Sequence, residues 1–412
     1  MRRAERLWRL GACLAVAAAA TAVALGCSDP EEEVFDQPGN LVIVTVDTAT
    51  VQHREPSLHP NGSTVIFSTD WPFDPAVDED KTARDIAVIE LPETLVPHNG
   101  GNFTGSPTTV PDARFRKVVF PLVESDAPGG ELVQFDPNLR SKSQPVWDPV
   151  RTDRFALVIN NPSNVDRIYI CQVDLAPVDQ ATVLGAEFVG NPQGQAHFFN
   201  DPAYSPDGRW LLFSRYLYRQ GVGGEPDQVE PQALYVLELD GNGDPLGAPI
   251  QLTSGSSLEG GGSWSPSGTR IAFHSTRGFG EGEGAAREVY VMDFDPNAPG
   301  AVMDLNVQRL TFATASSPST LLDESWEPTW SPSGASIAFT SSRRNPGVSL
   351  RDRSIWIMNA DGSDQRALVS TRSDDINPSY GNTASRIVFA SENHPLEAFR
   401  DQRSDIWLLR DL

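Results

Sequence analysis

One short phrase recurs six times in this chain, and it constrains the fold more than any other feature. The phrase is a proline, one residue, an aromatic, Ser-Pro, and then a turn. Its copies are EPSLHPNG (55–62), QPVWDPVR (144–151), DPAYSPDG (201–208), GGSWSPSG (261–268), EPTWSPSG (327–334) and NPSYGNTA (377–384). Each copy runs within a few residues into an apolar stretch: TVIFS, FALVI, WLLFS, RIAFHS, SIAFTS and RIVFAS. A second apolar stretch follows after a variable gap: DIAVIEL (85–91), RIYICQVDL (167–175), ALYVLELD (233–240), EVYVMDFD (288–295), SIWIMNAD (354–361) and DIWLLRDL (405–412). Three copies add a short further run, QLT (251–253), QRLT (308–311) and QRAL (365–368).

Runs this short, rich in Val, Ile, Phe, Tyr and Trp, read as strands. The Pro-Asp-Gly and Pro-Ser-Gly signals make tight turns between the first two strands of each unit. A single small sheet cannot bury both of its faces. Packing the copies around an axis does so, which predicts an all-β fold, a β-propeller. Composition agrees: 33 Gly, 33 Pro and only four Met among 412 residues describe many turns and few helices. Six copies predict six blades. The gap from 55 to 144 is the widest, and residues 113–137, with RFRKVVFPL and ELVQFD, are either an insertion or a degenerate seventh blade.

The copies, above all EPTWSPSGASIAFTSSR with SIWIMNADGSDQRAL, resemble the WD40-like repeats of TolB-like propellers. The resemblance spans about residues 41–412 and is strongest from 200 onward. It implies a six-bladed propeller in the bacterial envelope, with a role of the Tol-Pal type conceivable from the resemblance alone. The first copy departs from the pattern with Leu58-His59, and the last lacks Ser-Pro. TolB proteins carry an additional N-terminal α/β domain, for which there is little room between Cys27 and Asn40. The last unit ends on a third strand, and NLVIVTVD (40–47) lies outside the repeats. It is expected to supply the missing strand and close the propeller, leaving no exposed edge.

In a propeller the first strand of each unit lines the channel. The residue before each repeat proline is expected to begin that strand, which places Glu55, Gln144, Asp201, Gly261, Glu327 and Asn377 in one ring at a channel mouth. Five of the six are acidic or amide. The long loops 70–84, 215–232, 276–287, 343–353 and 392–404 are expected on the same face, so a binding site formed by Glu55, Gln144, Asp201, Glu327 and Asn377 is predicted there. The plainer alternative is that the acids cap strands and bond neighbouring backbone or loop arginines such as Arg277, Arg343 and Arg344.

The remaining candidates point away from chemistry. His53, His59, His98, His197, His274 and His394 show no metal spacing, although His274 could reach the channel mouth. Related oligogalacturonate lyases hold a metal on channel histidines. The ring here contains none, so no metal, no cofactor and no catalytic residue is expected. Asp240-Gly241-Asn242-Gly243-Asp244 resembles half a calcium loop, but Pro245 and Gln251 stand where Gly and Glu belong. Trp147, Trp264, Trp330, Trp356 and Trp407 are expected in the core rather than on a sugar platform. Propeller peptidases join a hydrolase domain with a GxSxG elbow, which this sequence lacks.

The N-terminus reads as an address. Arg2, Arg3, Arg6 and Arg9 precede an apolar stretch from about Leu10 to Leu25, too short for the ~20 residues of a membrane span. Ala24-Leu25-Gly26-Cys27 resembles a bacterial lipobox, predicting a lipoprotein signal over 1–26, lipidation at Cys27, an acidic tether over 27–39 and the propeller over 40–412. By resemblance to the sorting rule, Ser28 implies the outer membrane, on its periplasmic face or at the cell surface. With Cys13 in the signal and Cys27 acylated, Cys171 stands alone as a small buried hydrophobe. The net charge of −23 excludes a nucleic-acid binder, which needs a basic face. The expectation is a monomeric, lipid-anchored, non-catalytic scaffold for an envelope protein or peptide segment, basic in character. A propeller polysaccharide lyase or hydrolase and a glycan-binding surface protein are the alternatives.

Overall fold

Four strands in sequence order, joined as an antiparallel meander, form the basic unit. The computed structural model describes residues 41–45, 51–71, 83–91, 115–126, 132–177, 180–189, 197–219, 228–229, 232–278, 286–312, 323–343, 353–370, 374–381, 386–392 and 404–409. The signal, Cys13, Cys27, the tether, His98, Arg344 and His394 lie outside them. The third repeat builds its sheet from His197–Tyr204, Trp210–Arg219, Ala233–Leu239 and Pro245–Gln251. The fourth uses Glu259–Trp264, Arg270–Ser275, Glu288–Asp293 and Gln308–Arg309, and the fifth Ser325–Trp330, Ser336–Ser341, Ser354–Asn359 and Arg366–Val369. Among the described residues the only helix is one 3-10 turn, Pro137–Leu139. The fold is an all-β propeller.

The second and third strands of each unit are buried on both faces, as in Thr64–Thr69 and Ile387–Ser391. The reason is sheet-on-sheet packing. Ile66, Ile86 and Val88 of the first repeat share a core with Trp147, Phe155 and Tyr169 of the second. Equivalent cores join second to third, third to fourth, fourth to fifth and fifth to sixth. A further core returns from Ile376, Val388 and Leu408 of the sixth repeat to Val65 and Phe67 of the first. Neither face of these sheets meets water, so their strands are nearly continuous apolar runs rather than alternating ones. Cys171 is fully buried in the core, and burial pushes its thiol pKa up, in keeping with an inert hydrophobe.

Closure follows the expectation. Asp375–Tyr380, Ile387–Ser391 and Asp405–Leu409 form three strands of the last sheet, and Leu41–Ile43 adds the fourth. Its register sets Leu41 against Leu409, Val42 against Leu408 and Ile43 against Trp407, antiparallel. The ladder continues irregularly: the Val44 amide donates to the Ile406 carbonyl at 2.7 Å, and the Ile406 amide to Thr45 Oγ1 at 2.8 Å.

The first two repeats differ from the rest. Their strands form a single eight-stranded sheet: His53–Leu58, Thr64–Thr69, Asp85–Glu90 and Phe115–Val119, then Ala181–Phe188, Asp166–Asp174, Arg154–Asn160 and Lys142–Trp147. The junction is a parallel pairing of the two outermost strands, Ala181 with Val118 and Thr182 with Val119. The 113–137 segment therefore contributes an outer strand and a small hairpin, Val123–Asp126 with Leu132–Phe135.

Candidate functional site

Every first strand carries a β-bulge at the same place. The register slips between Arg54 and Ser57, Ser143 and Val146, Asn200 and Ala203, Gly260 and Ser263, Trp326 and Thr329, and Ile376 and Ser379. In each bulge one residue takes a left-handed backbone: Glu55 (φ 55°), Gln144 (52°), Asp201 (56°), Gly261 (59°), Glu327 (52°) and Asn377 (55°). These are the six ring positions of the sequence. Five are not glycine, and each such conformation costs about 1 kcal/mol. Such a cost persists only where surrounding bonds fix the backbone.

Those bonds run around the channel from one repeat to the next. Glu55 Oε2 accepts from the backbone amide of Gln144 at 2.8 Å, and Gln144 Oε1 from the amide of Asp201 at 2.7 Å. Asp201 Oδ2 accepts from the amide of Gly261 at 3.0 Å, and Glu327 Oε2 from that of Asn377 at 3.0 Å. The two side-chain amides also donate to neighbouring acids, Gln144 to Asp201 Oδ1 at 3.0 Å and Asn377 to Glu327 Oε1 at 2.8 Å. Each acid takes a further bond from a hydroxyl on its own second strand. Ser68 donates to Glu55 at 2.8 Å, Ser214 to Asp201 at 2.8 Å and Thr340 to Glu327 at 3.0 Å. A second tier lies below: the amides of Trp147, Trp330 and Tyr380 each donate at 3.3 Å to Ser57, Ser263 and Thr329 of the preceding repeat.

Across the hairpin, the residue facing each ring position matches its chemistry. The acids face Ser68, Ser214 and Thr340. The registers put Val158 beside the Gln144 bulge, Ala390 beside the Asn377 bulge, and His274 beside Gly261. His274 fills the slot that glycine leaves: a Cβ added to Gly261 would lie 2.6 Å from its Nδ1. That Nδ1 is buried without a hydrogen-bond partner. Burial pulls the imidazole pKa down to about 4, against the opposing pull of Asp201, so the ring is neutral near pH 7. The sequence placed His274 near the channel, and its role as a filler of the ring is new. The signal was available, since hydroxyl and acid are thirteen residues apart in each acidic repeat.

All six ring residues line one cavity of about 600 Å³. They occupy the third position of their strands rather than the first, so the ring lies inside the channel and forms the cavity floor. In the third repeat the strand begins still earlier, at His197. From there the walls follow the strands toward the short turns, through Leu58, Trp147, Tyr204, Trp264, Trp330 and Tyr380, to Pro149, Pro206, Pro266 and Pro332. The described cavity lies on the short-turn side of the ring, and the long loops lie largely outside the described residues. The ring is deeper than a strand start because the strand already runs two or more residues before it. Trp147, Trp264 and Trp330 are core residues as expected, at 4–6% exposure, yet they also wall the cavity. Among the described residues that line it there is no lysine, arginine or histidine.

The plainer alternative is met in part: the ring acids bond neighbouring backbone amides, while of its named arginines Arg277 and Arg343 pair elsewhere and Arg344 lies outside the described residues. Arg277 bonds Glu259 and Asp304, and Arg343 bonds Gln365 and approaches Glu288 at 4.0 Å. Glu327 is pushed up to about 7, first by burial and then by Asp201 and Glu55, against the pull of its bonds from Asn377 and Thr340.

Other candidates resolve as structural. His59 Nε2 lies 2.7 Å from the Thr152 carbonyl, and its ring packs edge-on to Trp147 at 4.6 Å. Among the described residues no three His, Cys, Asp or Glu are grouped to hold a metal. The calcium-like loop is held instead by arginines. Arg151 donates to the carbonyls of Asp240 at 2.8 Å and Gly241 at 3.2 Å, and Arg154 to Asp244 at 2.6 Å.

No family model and no curated protein sequence matches this chain. Several solved structures are similar to it. An α-L-arabinofuranosidase mutant from Fusarium graminearum aligns at 12% identity over 90% of this chain and 97% of its own, with a TM-score of 0.50. A putative TolB from Agrobacterium tumefaciens aligns at 15% identity over 90% and 97%, TM-score 0.47. TolB from Acinetobacter baumannii aligns at 16% over 80% and 76%, TM-score 0.41. At these identities the likeness concerns the fold alone. The class is thus a β-propeller whose channel carries a hydrogen-bonded acidic floor.

Proposed function

We propose that this chain is a six-bladed propeller acting as a non-catalytic binding module of the bacterial envelope, anchored through lipid on Cys27. On this reading the eight-stranded sheet is two blades joined at their outer edges. The observation that carries the function is the cavity: an acidic floor, an aromatic and proline collar, and no basic side chain in its lining. Such a site suits an extended protein segment with basic character, steered by the overall charge of −23. Among the described residues no helix is long and apolar enough to cross a membrane, which fits attachment through a lipid.

The enzymatic reading has one observation in its favour, a carboxyl at Glu327 whose pKa of about 7 would suit a general acid. Against it, Asp201 has both oxygens committed to protein donors, and Glu327 likewise. The glycan reading needs open aromatic faces, whereas Trp147 is packed edge-on between His59 and Phe155.

A peptide-display library panned against the protein tests the proposal. A Pro206→Trp, Pro266→Trp double variant, changed at two exposed rim positions, serves as the cavity-blocked control. Binders that need the open cavity support the reading. Turnover of uronate or arabinan polymers that Glu327→Gln abolishes would replace it with the enzymatic one.

A further inference from the structure

Resting on the reading of the cavity as a binding site, we infer that its occupant presents a primary ammonium on an apolar stem, seated on the channel axis above Glu55, Asp201 and Glu327. The three carboxylates belong to the first, third and fifth repeats. Gln144, Gly261 and Asn377 alternate with them. Alternate positions of a six-membered ring give an approximately threefold set of acceptors. A primary ammonium carries three N–H donors with the same symmetry. A guanidinium is a planar fork that matches one carboxylate at a time, and a quaternary ammonium has no N–H to donate.

Charge compensation points the same way. A half-buried carboxylate is costly unless paired, and among the described residues the cavity lining holds no cation; Arg54 and Arg353 act on Glu55 and Glu327 from outside it. The polar bonds they make come from hydroxyls and amides, which orient them without neutralising them. Glu55 Oε1 takes part in none of them, and Asp201 Oδ1 and Glu327 Oε1 accept one bond each, so acceptor capacity remains. At the fourth position the His274 imidazole stands where the second and sixth carry an amide side chain, and its buried Nδ1 has no partner.

The collar supplies the other half of the specificity. Between floor and turns lie about three strand residues, roughly 10 Å of wall. Leu58, Trp147, Tyr204, Trp264, Trp330 and Tyr380 make this wall largely apolar. A methylene stem would be desolvated there while its charged tip reaches the floor. A lysine side chain or a chain-terminal amine with an apolar neighbour has this form.

The test uses small probes on the purified protein at pH 8 and low salt, with thermal unfolding and tryptophan fluorescence as readouts. n-Hexylamine should raise the melting temperature saturably. n-Hexyltrimethylammonium, with equal charge but no N–H, should need at least a tenfold higher concentration, and n-hexanol should have no effect. Glu55→Gln and Asp201→Asn should each weaken hexylamine binding tenfold or more. Equal potency of the two cations, unchanged binding by folded carboxamide variants, or no response to hexylamine overturns the inference. If a carboxamide variant does not fold, the probe series on the unaltered protein decides. Displayed peptides that require the open cavity yet carry no lysine and no free amine would discard the ammonium while leaving the binding module intact.

Discussion

Gly261 and His274 are a steric pair: the imidazole stands where a side chain at 261 would be, 2.6 Å from the place of its Cβ. Asp at 261 should therefore clash, and Gly261→Asp alone is expected to cost about 2–4 kcal/mol. His274→Ser alone should cost about 1–2 kcal/mol through the space it leaves. The double change recreates the acid–hydroxyl pair of the first, third and fifth repeats and should recover most of the loss. Denaturant unfolding of the four proteins in a double-mutant cycle measures the coupling, expected above ~1 kcal/mol. Additive losses would contradict the pairing.

Glu327 predicts a pH dependence with a definite sign. Its folded pKa, about 7, lies above the ordinary glutamate value of 4.5. The folded state thus holds a proton that the unfolded chain releases. The resulting stability is complete below about pH 4.5 and disappears as pH rises through 7. Its size is at most about 3 kcal/mol, reduced by water entering the cavity. Melting temperature should fall from pH 6 to 8, and Glu327→Gln should flatten that slope. Thr340, Asn377, Asp201, Glu55, Arg353 and the neutral His274 surround the group, and His274, at about 4, does not titrate in this window.

Removing residues 41–45 should destabilise the whole domain. The deletion takes away the strand paired to Asp405–Leu409 and the Thr45 hydroxyl that accepts from the Ile406 amide. Four or so lost ladder bonds amount to about 4 kcal/mol, and the bared edge invites association. Calorimetry and light scattering on the truncated protein check both effects. An unchanged melting point would remove the closure argument.

Arg151 should matter more than any calcium. It bonds Asp148, Gly208, Asp240 and Gly241, tying the second repeat to the third. Arg151→Ala is expected to cost about 2–3 kcal/mol. Calcium or chelator should leave the melting temperature of the unaltered protein within error.

Cys27→Ala should release the protein from membranes and abolish palmitate labelling, because stable anchoring needs a multiply acylated end. Continued membrane fractionation with label would contradict lipidation at this residue.

Much of the architecture was legible because the repeat phrase marks a fixed point in each unit. Proline and turn residues announce the first hairpin, and residues counted back from them gave all six ring positions. The depth of those positions was not legible. A bulge changes which residues lie opposite one another without changing composition, so Glu55 and its equivalents looked like strand starts rather than mid-strand residues. The parallel contact of Val118 with Ala181 was hidden for another reason: outer strands carry no repeat phrase, and their pairing depends on packing. Arg151 escaped notice because its acceptors are mostly backbone carbonyls some ninety residues away.

The partners that decide each position of the floor sit on a single hairpin, with acid and hydroxyl thirteen residues apart. The floor is therefore written in six local cassettes rather than by residues scattered through the chain. Exchanging one hairpin for another would carry both members of a matched pair together. Stepwise duplication or recombination could then change the charge and symmetry of the opening one sixth at a time, while side chains such as Glu55, Gln144, Asp201 and Glu327 keep neighbouring repeats tied through the amides they accept.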